Sequence, residues 1–330
     1  MPSESSSLLP PGSPPPSVGI SSGGLAGGIG FVGSLAIAVN NLTGPGMLDL
    51  PATFQKSGLV PSSLCILAIS LLSSLTSLAL SSSIARMPGN ASFSQPVEYS
   101  AAASHYLGRS SFAFTQVLFA LCVLSQAVAS IISTSQVVDA FVATSLGETY
   151  ALSFPGLEAV SWAGGDCDDG GAECLPFSPS SYSPFILTLG YAITTVALLP
   201  LCLMDLKENV AAQLLSFGLL LLFLAEFVWS FSSSGFHAAN INLWGTEWKE
   251  LLGVVLFNFS LTATIPAWLH EKERGLGPGR VVWASNAIVV VLYILIGVTG
   301  SMSVSHIPDN FLAYLSAGHQ GKATQFCANM

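Results

Sequence analysis

Asn40, Asn41, Leu42 and Thr43, followed by Gly44-Pro45-Gly46, interrupt the first long apolar run of the chain, Phe31 to Lys56 (FVGSLAIAVNNLTGPGMLDLPATFQK). Proline lacks an amide hydrogen and clashes with the preceding turn, and glycine favours no single backbone conformation, so the trio is expected to unwind a helix for about one turn. Unwound backbone has free N–H and C=O groups, which are costly if they face hydrocarbon, so a break at this depth is tolerable only where protein, water or a ligand meets them. The freed N–H groups sit at the positive start of the second half-helix and the freed carbonyls at the negative end of the first. One such place could hold a carboxylate and a cation together, which is the polar geometry of a zwitterionic amino acid and its coupling ion. Two plainer readings stay open: a kink that only shapes packing, and a turn between two short buried helices.

A second interruption lies in Leu251 to Glu273, LLGVVLFNFSLTATIPAWLHEKE. Asn258, Ser260, Thr262 and Thr264 crowd its middle, and Pro266 removes one backbone hydrogen bond and frees a carbonyl a turn earlier. The two interruptions stand five apolar spans apart. Transporters with inverted repeats of five helices carry their discontinuous helices at the first span of each repeat. The Ser and Thr residues also fit ordinary contacts between helices.

The elements that must position these residues are membrane spans. Of 330 residues, 51% are hydrophobic and 8% charged, with mean hydropathy +0.65; soluble chains carry roughly 25% charged residues. Seven apolar runs are long enough to cross a bilayer: 25–56 (broken), 60–83, 111–137, 184–203, 210–232, 250–271 and 281–302. The fold class expected is all-α integral membrane. Residues 1–24 read as a disordered Ser/Pro-rich tail, 25–302 as the transmembrane domain (first repeat 25–232, partial second repeat 250–302), and 303–330 as an extracytosolic tail. The first 19 residues contain no Lys or Arg and so lack the basic start of a signal peptide.

With a cytosolic N-terminus, Arg86, Arg109, Lys207, Lys272, Arg274 and Arg280 fall inside, and Lys56, Lys249 and Lys322 outside. The 144–183 segment, with six acids and no base, falls outside as well. The net charge of −9 gives no electrostatic case for nucleic acid. Asn41, Asn90 and Asn258 head N-glycosylation sequons, but this topology puts two in the membrane and one in the cytosol, so none is expected to be modified. Cys65, Cys122 and Cys202 lie within apolar runs as packing residues, whereas Cys167 and Cys174 share one loop and are a possible disulfide in an oxidising compartment. The histidines lack ligand spacing, so no metal or cofactor is expected. No nucleophile–base pair or phosphate loop points to an enzyme or to ATP-driven transport.

On these motifs the chain resembles the amino acid/auxin permease family, the transmembrane amino-acid transporters of the amino acid–polyamine–organocation superfamily. NNLTGPGMLDLP (Asn40 to Pro51) is similar to that family's first-helix pattern. VEYSAAASHYLG (Val97 to Gly108) resembles its segment before the third helix, LPLCLMDL (Leu199 to Leu206) its fourth-to-fifth turn, and Phe257 to Glu273 its sixth helix. The resemblance covers about 30–320 and implies a leucine-transporter-like inverted-repeat fold with helices 1 and 6 broken. It implies a secondary active transporter that moves amino acids by alternating access, a symporter coupled to H⁺ or Na⁺, in the plasma membrane or a vacuolar or other internal membrane. This chain departs from the family in ending after the seventh span, and the expectation is that an incomplete gene model or fragment lacks the C-terminal helices.

The residues expected to contact substrate are Asn41, Thr43, Gly44, Pro45, Gly46 and Met47 at the first break and Phe257, Asn258, Phe259, Ser260, Thr262 and Thr264 at the second. Ser125 and Gln126 in the third run are candidates for the cavity wall, or for helix contacts alone. Asp49, Glu226 and Glu271 are candidates for coupling or gating. Plainer readings stand beside these: Asp49 pairs with Lys56, and Glu226 reaches headgroups or water near the outer interface. A seven-helix receptor, a sensor or a non-transporting subunit are the rival classes. A receptor would have its N-terminus outside and no need of a break in its first helix.

The Lys/Arg distribution makes a direct prediction. An epitope tag before Ser17 is expected to be cytosolic and one in the 144–183 segment extracytosolic. Protease protection of tags in intact cells checks both, and the reverse pattern would overturn the orientation.

Overall fold

The computed structural model describes residues 28–163, 176–177, 185–206, 208–305, 307, 315, 324 and 327. Cys167, Cys174, Lys207 and the 1–24 tail lie outside the described residues. The first apolar run folds as α1 (Phe31–Leu42), a 3-10 turn (Pro45–Asp49) and α2 (Leu50–Ser57). The chain then continues through α3 (Leu59–Ala85), α4 (Tyr99–Leu107) and α5 (Arg109–Leu146) to three strands, β1 (Glu148–Phe154), β2 (Glu158–Ala163) and β3 (Phe185–Thr188). Then come α6 (Leu189–Cys202), α7 (Val210–Ser234), α8 (Leu251–Asn258), a 3-10 turn (Leu261–Ala263), α9 (Ile265–Glu271) and α10 (Pro278–Ser303).

Among the described residues, five stretches are long and apolar enough to cross a membrane: α3, α5, α7, Leu251–Glu271 and α10. The two others anticipated, at 25–56 and 184–203, contain the shorter apolar helices Phe31–Leu42 and Leu189–Pro200. The chain is thus a mostly helical, multi-pass membrane protein. Many large apolar side chains stay exposed, Leu64, Leu71, Leu121, Leu222 and Val291 among them, as a hydrocarbon solvent permits.

The segment after α5 departs from an all-helical reading. β1 pairs antiparallel with both neighbours, in the order β2-β1-β3, with Thr149 opposite Trp162 and Leu152 opposite Leu187. ETYALSF and EAVSWA alternate side chains across a sheet, and the abundant Gly, Ser, Pro and acids around them mask that period at the level of composition. At 38 residues, α5 is about 57 Å long, nearly twice the hydrocarbon thickness, so it carries the sheet clear of the membrane.

Asp139 fastens this outlying layer. It is 1% exposed, and its Oδ1 accepts hydrogen bonds from Thr149 Oγ1 (2.9 Å) and Gly190 N (2.7 Å). One carboxylate thereby joins the end of α5, the start of β1 and the β3–α6 junction.

α1, α2, α3 and α7 pack around α10, whose Tyr293 and Ile296 are wholly buried. Gly297 lies against the Phe54 ring and Gly300 against Pro51, where an added Cβ would come within 2.6 and 2.8 Å. These small residues let α10 and α2 approach closely. Gln55 fixes the end of α10, its Nε2 donating to the Ser301 (3.0 Å) and Val304 (2.6 Å) carbonyls and its Oε1 accepting from Ile307 N (3.1 Å). In the stretch read from sequence as a tail, Leu315, Thr324 and Cys327 are helical residues, and Leu315 and Thr324 are buried.

Gly190 tests the fastening. A Cβ there would lie 2.3 Å from the Ser135 carbonyl oxygen and 2.6 Å from Asp139 Cγ. Gly190→Ala is expected to destabilise by about 1–3 kcal/mol through overpacking. Gly218 in α7 has nothing within 4 Å of the added carbon, and Gly218→Ala is expected to be neutral or to gain up to about 1 kcal/mol. Thermal unfolding of the two variants in detergent gives the comparison.

Candidate functional site

α1 ends because Thr43 and Gly44 leave helical geometry, with Thr43 at φ −101°, ψ 72° and Gly44 extended. Thr43 turns its own side chain back to close the helix: its N and Oγ1 both donate to the Val39 carbonyl at 2.8 Å. The chain re-enters helical geometry at Pro45, the first position of the 3-10 turn, where a missing N–H costs nothing. Met47 N donates to the Gly44 carbonyl at 3.0 Å.

α8 ends in the same manner. Phe259 sits at φ −95°, ψ 42°, and Ser260 and the Leu261–Ala263 turn carry the chain to Pro266 in the first turn of α9. α3 supplies the missing partners from a line of buried serines. Ser73 Oγ donates to the Phe259 carbonyl (3.1 Å), and Ser77 Oγ and Thr76 Oγ1 bond Thr262 Oγ1 (3.1 and 3.3 Å). Thr264 Oγ1 returns to the Leu261 carbonyl (3.0 Å).

The two interruptions meet. A Cβ on Gly46 would lie 3.0 Å from both Asn258 Oδ1 and Nδ2, and one on Gly44 3.9 Å from Oδ1. Asn258 is 2% exposed. Its Nδ2 donates to the Val254 carbonyl (3.0 Å), while its Oδ1 is buried with no hydrogen-bond partner. A buried acceptor left without a donor costs about 1–3 kcal/mol, so this oxygen faces the first break in want of one. On the other side of the break, the Tyr293 hydroxyl donates to the Leu42 carbonyl, and its ring meets Phe259 edge to face at 5.5 Å.

Ties at both ends hold the four half-helices. At one end, Ile29 N donates to the Glu271 carbonyl (2.8 Å) and Glu273 N to the Ile29 carbonyl (2.9 Å). Trp268 Nε1 donates to Ser34 Oγ (2.9 Å), joining α9 to α1. Lys272 Nζ lies 4.9 Å from the centre of the Phe93 ring, and burial lowers the pKa of its ammonium from the ordinary value. At the other end, Lys56, a candidate partner for Asp49, forms an ion pair with Glu250 Oε2 at 3.1 Å, joining α2 to the start of α8.

The other candidates are placed as follows. Asn41, Thr43, Asp49 and Phe257 are half-buried, Met47 and Phe259 buried. Ser125 is exposed and bonds back to the Cys122 carbonyl on its own helix (2.8 Å), and Gln126 is half-buried beside it. α5 packs on α4, α6 and β1, so neither residue stands at the breaks. Glu226 Oε1 accepts from Thr324 Oγ1 (2.9 Å), which also donates to Ser230 Oγ (2.8 Å), and Glu226 Oε2 is buried without a partner. Of the sequon asparagines, Asn90 is wholly buried, its Oδ1 accepting from Gln95 N (2.9 Å). Among the described residues no group of His, Cys, Asp and Glu has the arrangement of a metal site.

Sequence reasoning missed Tyr293 and the α3 serines. Ser70, Ser73, Ser74, Ser77 and Ser81 share one helix face by spacing, which is a legible polar stripe. Tyr293 is a single tyrosine in an apolar run, with no such periodic signal.

Tyr293→Phe is expected to leave the Leu42 carbonyl without its donor and to destabilise by about 1–3 kcal/mol. A lowered unfolding temperature in detergent, with expression intact, checks it.

A family model described as transmembrane amino acid transporter protein matches residues 27–316. Searches of curated proteins and of solved structures returned no match.

Proposed function

The chain belongs to the transmembrane amino acid transporter family, and from that premise we propose that it binds an amino acid where its two helix interruptions meet and carries it by alternating access. The observation behind this reading is the unpaired, buried Asn258 Oδ1 against Gly44 and Gly46. In this reading the substrate carboxylate takes the free N–H groups that open the Pro45–Asp49 turn, where the helix dipole is positive. The ammonium donates to Asn258 Oδ1 and to carbonyls at the end of α1. Thr43, Met47, Phe257, Phe259, Ser260, Thr262 and Thr264 shape the surrounding wall.

The fold in this reading is leucine-transporter-like, with α1–α2 as broken helix 1 and α8–α9 as broken helix 6. The N-terminus is cytosolic, so the Ile29–Glu271 and Trp268–Ser34 ties close the inner side and Lys56–Glu250 the outer. Alternating access requires one set to open while the other holds. The coupling ion is H⁺ or Na⁺. Glu226, with one carboxylate oxygen bonded to Thr324 and one without a partner, is the candidate proton carrier, and Asp49 a candidate gate.

Gly46→Leu tests the site. The branched side chain would occupy the space of the Asn258 amide, whose atoms lie 3.0 Å from the first added carbon. Losing one hydrogen bond to a charged group typically costs about 1.5–3 kcal/mol, roughly ten- to hundredfold in affinity. The variant is expected to reach the membrane at normal levels and to lose amino-acid uptake, whereas Thr43→Ala loses less because the backbone does the binding. Uptake in cells with surface-expression controls decides; wild-type affinity in Gly46→Leu would reduce the break to a kink.

A further inference from the structure

A cavity of about 530 Å³ lies on the opposite side of α9 from Trp268 and Ser34. One face of α9 and its preceding turn lines it, through Ala263, Pro266, Ala267, His270 and Glu271. The positions run at helical spacing from the second interruption to the end of α9, so the cavity extends about 12 Å along the helix axis. The lead into α4 and two residues of α5 form the other wall, where the rings of Tyr99 and Phe119 stack at 5.6 Å. The volume is that of a small-molecule site, and the lining is largely apolar with a few polar groups.

Those polar groups divide by chemistry. Among the described residues of the lining, Glu98 and Glu271 are the charged groups. Opposite in character is the start of α4. Glu98 is its N-cap and makes no side-chain cap bond, and the first helical bond is Ala102 N to the Glu98 carbonyl (3.0 Å). The N–H groups of Tyr99 and Ser100 are thus free of intrahelical partners. Ser100, which lines the cavity, is 2% exposed, and its Oγ is buried with no hydrogen-bond partner. A buried hydroxyl without a partner beside a helix N-terminus suits a carboxylate, and an acidic wall suits an ammonium.

We propose that this cavity is a second amino-acid site, distinct from the place where the interruptions meet. It takes an apolar α-amino acid: the carboxylate on Ser100 Oγ and the start of α4, the ammonium on Glu271, and the side chain against Tyr99 and Phe119. Family membership supplies the ligand class, but the site itself does not depend on the breaks being occupied. If the chain moves its substrate past α9, this cavity holds it at the end of the route that carries Glu271.

The test is isothermal titration of the purified full chain in detergent with L-leucine, 3-methylbutylamine and 4-methylpentanoate. Two leucine sites are expected in the wild type and one in Gly46→Leu. The remaining site weakens at least tenfold in Ser100→Ala and in Glu271→Gln, as loss of a bond to a charged group typically gives. The amine and the acid, each lacking one charge, bind at least tenfold more weakly than leucine. A single wild-type site that Ser100→Ala weakens and Gly46→Leu leaves intact would uphold the cavity and remove the reading at the breaks. The proposal is overturned if leucine does not bind, if Gly46→Leu abolishes all binding, or if Ser100→Ala and Glu271→Gln leave the remaining site unchanged. Amine binding as tight as that of leucine would also overturn it.

Discussion

Backbone groups released from a helix inside an apolar medium must find partners, and the centre of this molecule is arranged around that requirement. Gly44-Pro45-Gly46 ends one helix and Phe259-Ser260 ends another at the same place. Some freed carbonyls are met locally, as Gly44 is by Met47 N, and others by a side chain from a neighbouring helix: Tyr293 reaches Leu42, and Ser73 reaches Phe259. Removing such a donor deep in the bundle costs far more than at a surface, because no water replaces it. The packing of α3 and α10 against the interruptions is therefore as much polar as apolar.

At the meeting of the interruptions satisfaction stops short at a side-chain oxygen. Asn258 Oδ1 is buried, unpaired and set against two glycines whose missing side chains leave its approach clear. A polar atom left in this state fits a place that a ligand completes, and the transport proposal rests on it. The ties at the two ends of the half-helices are separable, with backbone bonds and one indole at one end and a partly exposed ion pair with backbone bonds beside it at the other. Exposed ion pairs contribute only about 0–1 kcal/mol, so most of the hold at the Lys56–Glu250 end comes from the hydrogen bonds of Lys56 and Ser57 to Gly245 and Glu247.

Much of this was legible in the chain itself. Apolar length marked seven spans, of which five are long apolar helices among the described residues, and Gly-Pro-Gly lies where α1 stops and Pro266 where α9 starts, because proline and glycine act locally through their own backbone. Pairing across the fold was not legible. Nothing near Tyr293 in sequence points to Leu42, and nothing near Asp139 points to Thr149 and Gly190, which form one knot only after β1 and β3 align. The sheet was hidden because its alternation is short and set among Gly, Ser and Pro. For Ser125 and Gln126 the sequence left a cavity wall and helix contacts both open, and α5 packs on α4, α6 and β1.

Hydrogen–deuterium exchange over residues 43–48 of the full-length protein is the most direct test of the central claim. Gly44 and Gly46 provide the free amides there, since Pro45 has none and Met47 already donates to Gly44. If these N–H groups hold the substrate carboxylate, a saturating transported amino acid slows their exchange, and its decarboxylated amine at the same concentration does not. Exchange that stays unchanged while the amino acid is bound would show that the ligand sits elsewhere and that the interruption serves packing alone.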